Sequence, residues 1–266
     1  MRSILTLIVT LSFFASHGQQ IQNGQNDSPA IDTLRAVTVP LPNVSVSAHQ
    51  QIVTLTSKGE RYTGGYDIEP GRQVAVYYAN PDTMKSHMVK GISVLIERKF
   101  TYGRLRINLR SSEHGGPEGK DILSTSYFIL PESANRHHTW LTFTLPDGIK
   151  LSKEGVFIII EGMTASDEEK YAGITMFIKK AVTSDGSSRV TPSLRIQDST
   201  GKERLIELAE CPKLVSSVVT EGSNSNTWVK ISPNPRFSFK RNSPTSLGSR
   251  TPVAYNATTQ LTLVSW

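Results

Sequence analysis

Apolar and polar residues alternate one for one in run after run of this chain. Successive side chains of a strand point to opposite faces, so a period of two describes strands with one buried face. The runs are Val74-Ala75-Val76-Tyr77-Tyr78, Val89 to Ile96, Leu105 to Leu109, Trp140 to Leu145, Ile174 to Ile178, Leu194 to Ile196 and Leu261 to Leu263. Gly, Pro, Asn or Asp bounds each one, which is the punctuation of turns. Val156-Phe157-Ile158-Ile159-Ile160 is apolar without a break and reads as a central strand covered on both faces. Long helical periodicity is absent, and no span repeats another at a fixed interval. The pattern predicts an all-β fold, an antiparallel, jelly-roll-like β-sandwich of about a dozen short strands.

The 266 residues divide into a signal peptide at 1–18, a flexible lead-in at 19–50 and a sandwich domain at 51–266. Arg2 supplies a positive start, and the apolar run Ile4 to Ala15 is too short to span a bilayer comfortably. Ser16-His17-Gly18 follows with the small-x-small spacing of a cleavage site, so the mature chain is expected to begin at Gln19. No Cys stands there for lipid attachment. The lead-in opens Gln-, Asn- and Ser-rich. Leu34 to Ser47 then alternates around Pro40 and Pro42, as an edge strand or a docking segment does. The Ser-, Asn- and Pro-rich region from 220 to 250 reads as loops around a strand near Trp228-Val229-Lys230-Ile231.

Lys and Arg outnumber Asp and Glu, 29 to 23. The basic residues are interleaved with apolar ones, as in Arg104-Leu105-Arg106-Ile107. That is a solvated sheet face, so no nucleic-acid partner is expected.

Several segments resemble those of secreted, largely uncharacterised β-sandwich proteins of Bacteroidota, of the type labelled carboxypeptidase-like regulatory-domain proteins. They are Leu41-Pro42-Asn43-Val44-Ser45-Val46-Ser47-Ala48, Lys90 to Ile96, Arg104 to Leu109 followed by Gly116 to Leu123, Trp140 to Leu145, and Gly155 to Glu161. The resemblance runs from about residue 40 to 264 and rests on short structural motifs. It implies an exported sandwich and brings no catalytic residues with it. At most the last few residues of the regulatory-like domain that usually precedes such a sandwich are present here.

The residues offer little chemistry. Glu113 to Asp121 is polar enough to hold a hard cation, yet lacks Asp-x-Asp-x-Asp spacing and reads as a plain hairpin loop. His137 and His138 are adjacent, so on a strand they would face opposite ways and not share a metal. Cys211, the one cysteine, reads as a buried inert thiol. Asp167-Glu168-Glu169 reads as a charged loop crest and Glu161 as a strand-end carboxylate; a glycosidase would need two such groups across a cleft. There is no Gly-x-Ser-x-Gly, His-Glu-x-x-His or phosphate-cradling loop, and Thr183 to Ser188 reads as a hairpin turn. No catalytic residue, metal site or cofactor is therefore expected.

Sandwich proteins bind sugars by stacking aromatic rings on them, and Tyr77, Tyr78 and Tyr102 are the candidate ligand-binding residues. The sequence thus points to an exported, non-enzymatic module of the cell envelope. Its place is the periplasm, the outer-membrane surface or the medium, and its partner a glycan or a surface protein. Membrane association stays open, without a transmembrane helix in the mature chain. Two alternatives stand beside this reading: a polysaccharide-acting hydrolase, and a small outer-membrane barrel suggested by the terminal Leu261 to Trp266.

Overall fold

Every alternating run that the structure describes is a strand. The computed structural model of the chain describes residues 50–57, 59, 61–134, 136–167, 169, 177–182, 188–219, 225–231, 238–242 and 254–265, all within the unit Ser47–Trp266. The expected signal peptide, the lead-in up to residue 49, the Leu34 to Ser47 segment, and residues 174–176 and 183–187 lie outside them.

Sixteen strands and no α-helix occur among the described residues. The first eight are β1 (Gln51–Ser57), β2 (Arg61–Asp67), β3 (Gln73–Tyr78), β4 (His87–Ile96), β5 (Arg104–Ser111), β6 (Tyr127–Ile129), β7 (Thr139–Lys150) and β8 (Val156–Met163). Then come β9 (Phe177–Val182), β10 (Ser188–Gln197), β11 (Glu203–Glu207), β12 (Lys213–Val218), β13 (Thr227–Lys230), β14 (Lys240–Arg241), β15 (Tyr255–Ala257) and β16 (Thr259–Ser265). The expected strand at Trp228 is β13, ending one residue earlier.

A seven-stranded sheet runs β1-β16-β4-β12-β15, with β2 on β12 and β7 on β4; a six-stranded sheet runs β14-β13-β3-β8-β5-β6. A third sheet is the meander β11-β10-β9. The pairings are antiparallel, and the sheets do not close into a barrel. The fold is a β-sandwich. Its core lies between the two large sheets: Val89, Ile92, Val94 and Ile96 of β4 and Leu261 and Leu263 of β16 meet Val74 and Val76, Leu105, Ile107 and Leu109, and Val156, Ile158 and Ile160 from the other side. Each such side chain contributes roughly 2 kcal/mol when taken fully out of water.

β8 is the central strand the sequence predicted. Ile158 and Ile160 enter the main core, while Phe157 and Ile159 pack on the opposite face with Ala75, Tyr77, Trp228 and Phe239. Gly155 turns the chain into it at φ 83°, and a Cβ there would stand 2.3 Å from the Tyr78 carbonyl oxygen, so the turn requires glycine.

The arginines of β5 are not the freely solvated row that their alternation suggested. Arg110 Nε donates to Asp121 Oδ1 at 2.8 Å, Arg106 Nε donates to Glu161 Oε2 at 2.8 Å, and Arg104 pairs with Asp167. Outside the sandwich, Leu194 and Ile196 of β10 and Ile206 of β11 pack on Tyr102 and Cys211 in a separate small cluster.

One irregularity sets the outer surface. Between β4 and β16 the register jumps from Leu263–Val89 to Thr262–Gly91, leaving Lys90 as an extra residue, and between β4 and β7 the four residues Leu145 to Gly148 stand opposite that same Lys90. A bulge of this kind re-aims the side chains on either side of it. Val89 and Ile92 both reach the core, and Gly91 and Ser93 take the outer face.

Candidate functional site

The three candidate tyrosines do not form a group. Tyr78 is 5% exposed and points inward. Its hydroxyl lies 2.7 Å from Thr259 Oγ1 and accepts from the Ser57 backbone N–H at 3.2 Å, so it ties β3 to β16 and β1 across the core. Burial pushes its phenol above the ordinary tyrosine range. Tyr102 is 1% exposed, in the cluster beneath the third sheet, and its hydroxyl donates to Glu169 Oε2 at 2.7 Å. Burial, and then that carboxylate, raises its phenol too. Neither ring offers a face to a ligand. Tyr77 alone stands on an outer surface, half-buried, 5.1 Å from the Phe157 ring, with its hydroxyl donating to the Glu154 carbonyl at 2.7 Å. Alternation made one of Tyr77 and Tyr78 face outward, but could not say which interior the other would cross.

The structure brings Glu161, which the sequence read apart as a strand-end carboxylate, together with Asp167 and Glu169 around one hollow of about 220 Å³ lined also by Pro70, Gly71, Met163 and Thr164. Every carboxylate in it already has a partner. Glu161 accepts from Gln73 Nε2 at 2.9 Å and from Arg106; Asp167 pairs with Arg104. Glu169 accepts from Tyr102 and from the Ala165 N–H at 3.0 Å, with Arg204 at 3.8 Å. This arrangement fastens the end of β8 to β3, β5 and the third sheet.

The remaining candidates separate. His137 and His138 sit in the turn before β7, not on a strand; Nδ1 of His137 is 3.2 Å from the Glu97 carbonyl, while the His138 ring meets that of Tyr62 in a tilted contact at 5.9 Å. In the 113–121 loop, Glu113 and Gly116 bridge each other and Asp121 is held by Arg110. Cys211 is fully buried.

The outer face of the seven-stranded sheet carries a feature that no sequence motif marks. Two rows of residues cross four neighbouring strands. One is Thr54–Thr262–Gly91–Thr144 and the other Thr56–Gln260–Ser93–Thr142, in the order β1, β16, β4, β7. The opposite faces of these strands, Val53 and Leu55, Leu261 and Leu263, Ile92 and Val94, and Leu141 and Phe143, belong to the core. Thr54, Thr56, Thr142 and Thr144 are exposed, and Gln260 and Thr262 half-buried. Neither row contains a charge. Among the described residues, the one hydrogen bond between their side chains joins Ser93 and Thr142 at 2.9 Å. The hydroxyls of Thr54, Thr56, Thr144 and Thr262 have no partner among the described residues. Trp140 lies beside the second row, 38% exposed, with its neighbour Leu95 2% exposed. The signal was present in Val53-Thr54-Leu55-Thr56 and Leu141-Thr142-Phe143-Thr144 as threonine on every polar beat. What made it a site, the alignment of distant strands, lies in the pairing.

Fold and face together define a β-sandwich with a hydroxyl-bearing sheet surface, two uncharged rows wide and bordered by the row Ile52–Val264–Met88–Lys150. No family model, no curated protein and no solved structure matches the chain.

Proposed function

We propose that this protein is an exported, non-catalytic module of the cell envelope that binds a glycan or an envelope protein through the outer face of its seven-stranded sheet. The observation that carries the reading is the pair of uncharged rows, Thr54–Thr262–Gly91–Thr144 and Thr56–Gln260–Ser93–Thr142. A rigid sheet is a better platform than a loop, because side chains on paired strands keep their spacing. Threonine adds stiffness of its own, since its branched Cβ restricts χ1. The signal-peptide pattern of residues 1–18 and the resemblance to exported Bacteroidota sandwiches support the compartment.

The test is a glycan array probed with the full chain and with the double variant Thr54→Lys/Thr142→Lys. Saturable binding by the first and loss by the second, with unchanged melting temperature, is the expected result. If the folded chain binds no glycan, the protein-partner form of the reading takes over. A second reading, the polysaccharide hydrolase, draws on the meeting of Glu161, Asp167 and Glu169 at one hollow. Release of reducing ends from a polysaccharide, abolished in Glu161→Gln, would put that reading first.

A further inference from the structure

Resting on the reading of the sheet face as the binding surface, we infer that its ligand is an uncharged, extended polysaccharide that lies across the strands. Charge is the first argument. The chain carries 29 Lys and Arg and 23 Asp and Glu, yet none stands in either row. An anionic ligand gains most of its affinity from cations, as phosphate does from Lys and Arg. The closest one along β4, Lys90, donates to the Pro146 carbonyl at 3.1 Å at the end of the face. A protein partner gains its affinity from a desolvated apolar and aromatic centre, and the centre of this face is hydroxyl, amide and glycine.

Chemistry is the second argument. A hydroxyl is one donor and two acceptors, and a neutral polysaccharide presents the same group at every sugar. Thr54, Thr56, Thr144 and Thr262 have no side-chain partner among the described residues, so both valences are open to a ligand. Side chains stand ~4.8 Å apart from strand to strand and ~6.8 Å apart along a strand. A chain crossing the four strands therefore spans roughly 14 Å, with the exposed hydroxyls of Thr54, Thr56, Thr142 and Thr144 on the two outer strands and the buried Gly91 and Ser93 between them.

Shape is the third. Gly91 sits third in its row with no side chain, between Thr262 and Thr144. A Cβ there would meet Phe143 O at 3.4 Å and the Thr262 side chain at 3.5 Å, ordinary contact distances, so packing does not demand glycine at this position. Its effect is a lowered floor across the row. Trp140, at the edge of the second row and 38% exposed, supplies a ring on which a sugar face stacks.

The test is affinity electrophoresis of the full chain through gels containing a soluble neutral β-glucan, or a polyuronate as the acidic counterpart. The variants are Thr54→Lys/Thr142→Lys, the hydroxyl-keeping Thr54→Ser/Thr142→Ser, Trp140→Ala and, as a control on the distant third-sheet hairpin, Lys202→Glu. The neutral glucan should retard the chain and the polyuronate should not. The lysine pair should weaken retardation about ten-fold, the cost of a lost hydrogen bond or two. Trp140→Ala should weaken it similarly, while the serine pair and Lys202→Glu leave it in place. Melting temperature and circular dichroism check that each variant is folded. No retardation by the neutral glucan overturns the inference. Should the polyuronate retard the chain and the lysine pair alter that retardation, or should the lysine pair dissociate a dimer seen by ultracentrifugation, the inference fails while the sheet face remains the binding surface. Should the lysine pair leave every observed interaction unchanged, the reading of the face itself fails.

Discussion

Tyr77 and Tyr78 stand side by side in the sequence and do opposite work. The first closes an aromatic patch on the outside of the six-stranded sheet, and the second crosses the core to Thr259 and Ser57. Tyr78→Phe removes both hydrogen bonds while keeping the ring. It should cost about 1–2 kcal/mol, since the partners left behind are buried, and urea unfolding measures it. Glycan binding, if present, should not change. Cys211 makes a second case. Burial first, and then the nearby carboxylates of Glu69, Asp67 and Glu210, push its thiol up to about 12. A thiol reagent at pH 8 should therefore label the native chain very slowly and the unfolded chain at once. The sign of the linkage follows. The folded state keeps a proton that the unfolded state releases near pH ~8.5, so this residue's contribution is complete below that pH and falls as the pH rises further. Urea midpoints measured from pH 7 to 10 for the native chain and Cys211→Ala should converge toward the alkaline end.

β8 was the most legible element, because Val156 to Ile160 has no polar beat and so needs cover on both sides. Phe157→Ala should cost about 3–4 kcal/mol even though Phe157 lies outside the main core, since Ala75, Tyr77 and Trp228 close over it; a thermal melt reads the loss. Other elements were legible only in part. β7 runs on to Lys150, past the expected end at Leu145, because the bulge opposite Lys90 absorbs Leu145 to Gly148 and pairing resumes at Ile149. Alternation carries no marker for such a bulge. Arg104, Arg106 and Arg110 looked solvated because a polar beat shows which face a residue takes and not which carboxylate waits there. The partners, Asp167, Glu161 and Asp121, come from three different places in the chain.

At the scale of the molecule, the sequence shows strands and faces, while the order of strands is set by contacts between residues far apart. The two rows on the seven-stranded sheet draw on residues 54, 56, 91, 93, 142, 144, 260 and 262, and no local pattern announces that they meet. The central place in that arrangement belongs to β16, which pairs with β1 along Gln51 to Ser57 and with β4 along His87 to Val94. A chain stopped after Thr258 loses Leu261 and Leu263 from the core, leaves β1 unpaired and strips one edge of β4. It should show no cooperative unfolding transition and should bind dyes that report exposed apolar surface, whereas the full chain should do neither. Synthesis runs from the first residue to the last, so β16 is made long after β1, β4 and β7. The seven-stranded sheet cannot be completed before β16 is present, because β16 joins β1 to β4. Its closure is therefore a late event in folding, and the wide sequence separation of the paired strands makes it a slow one.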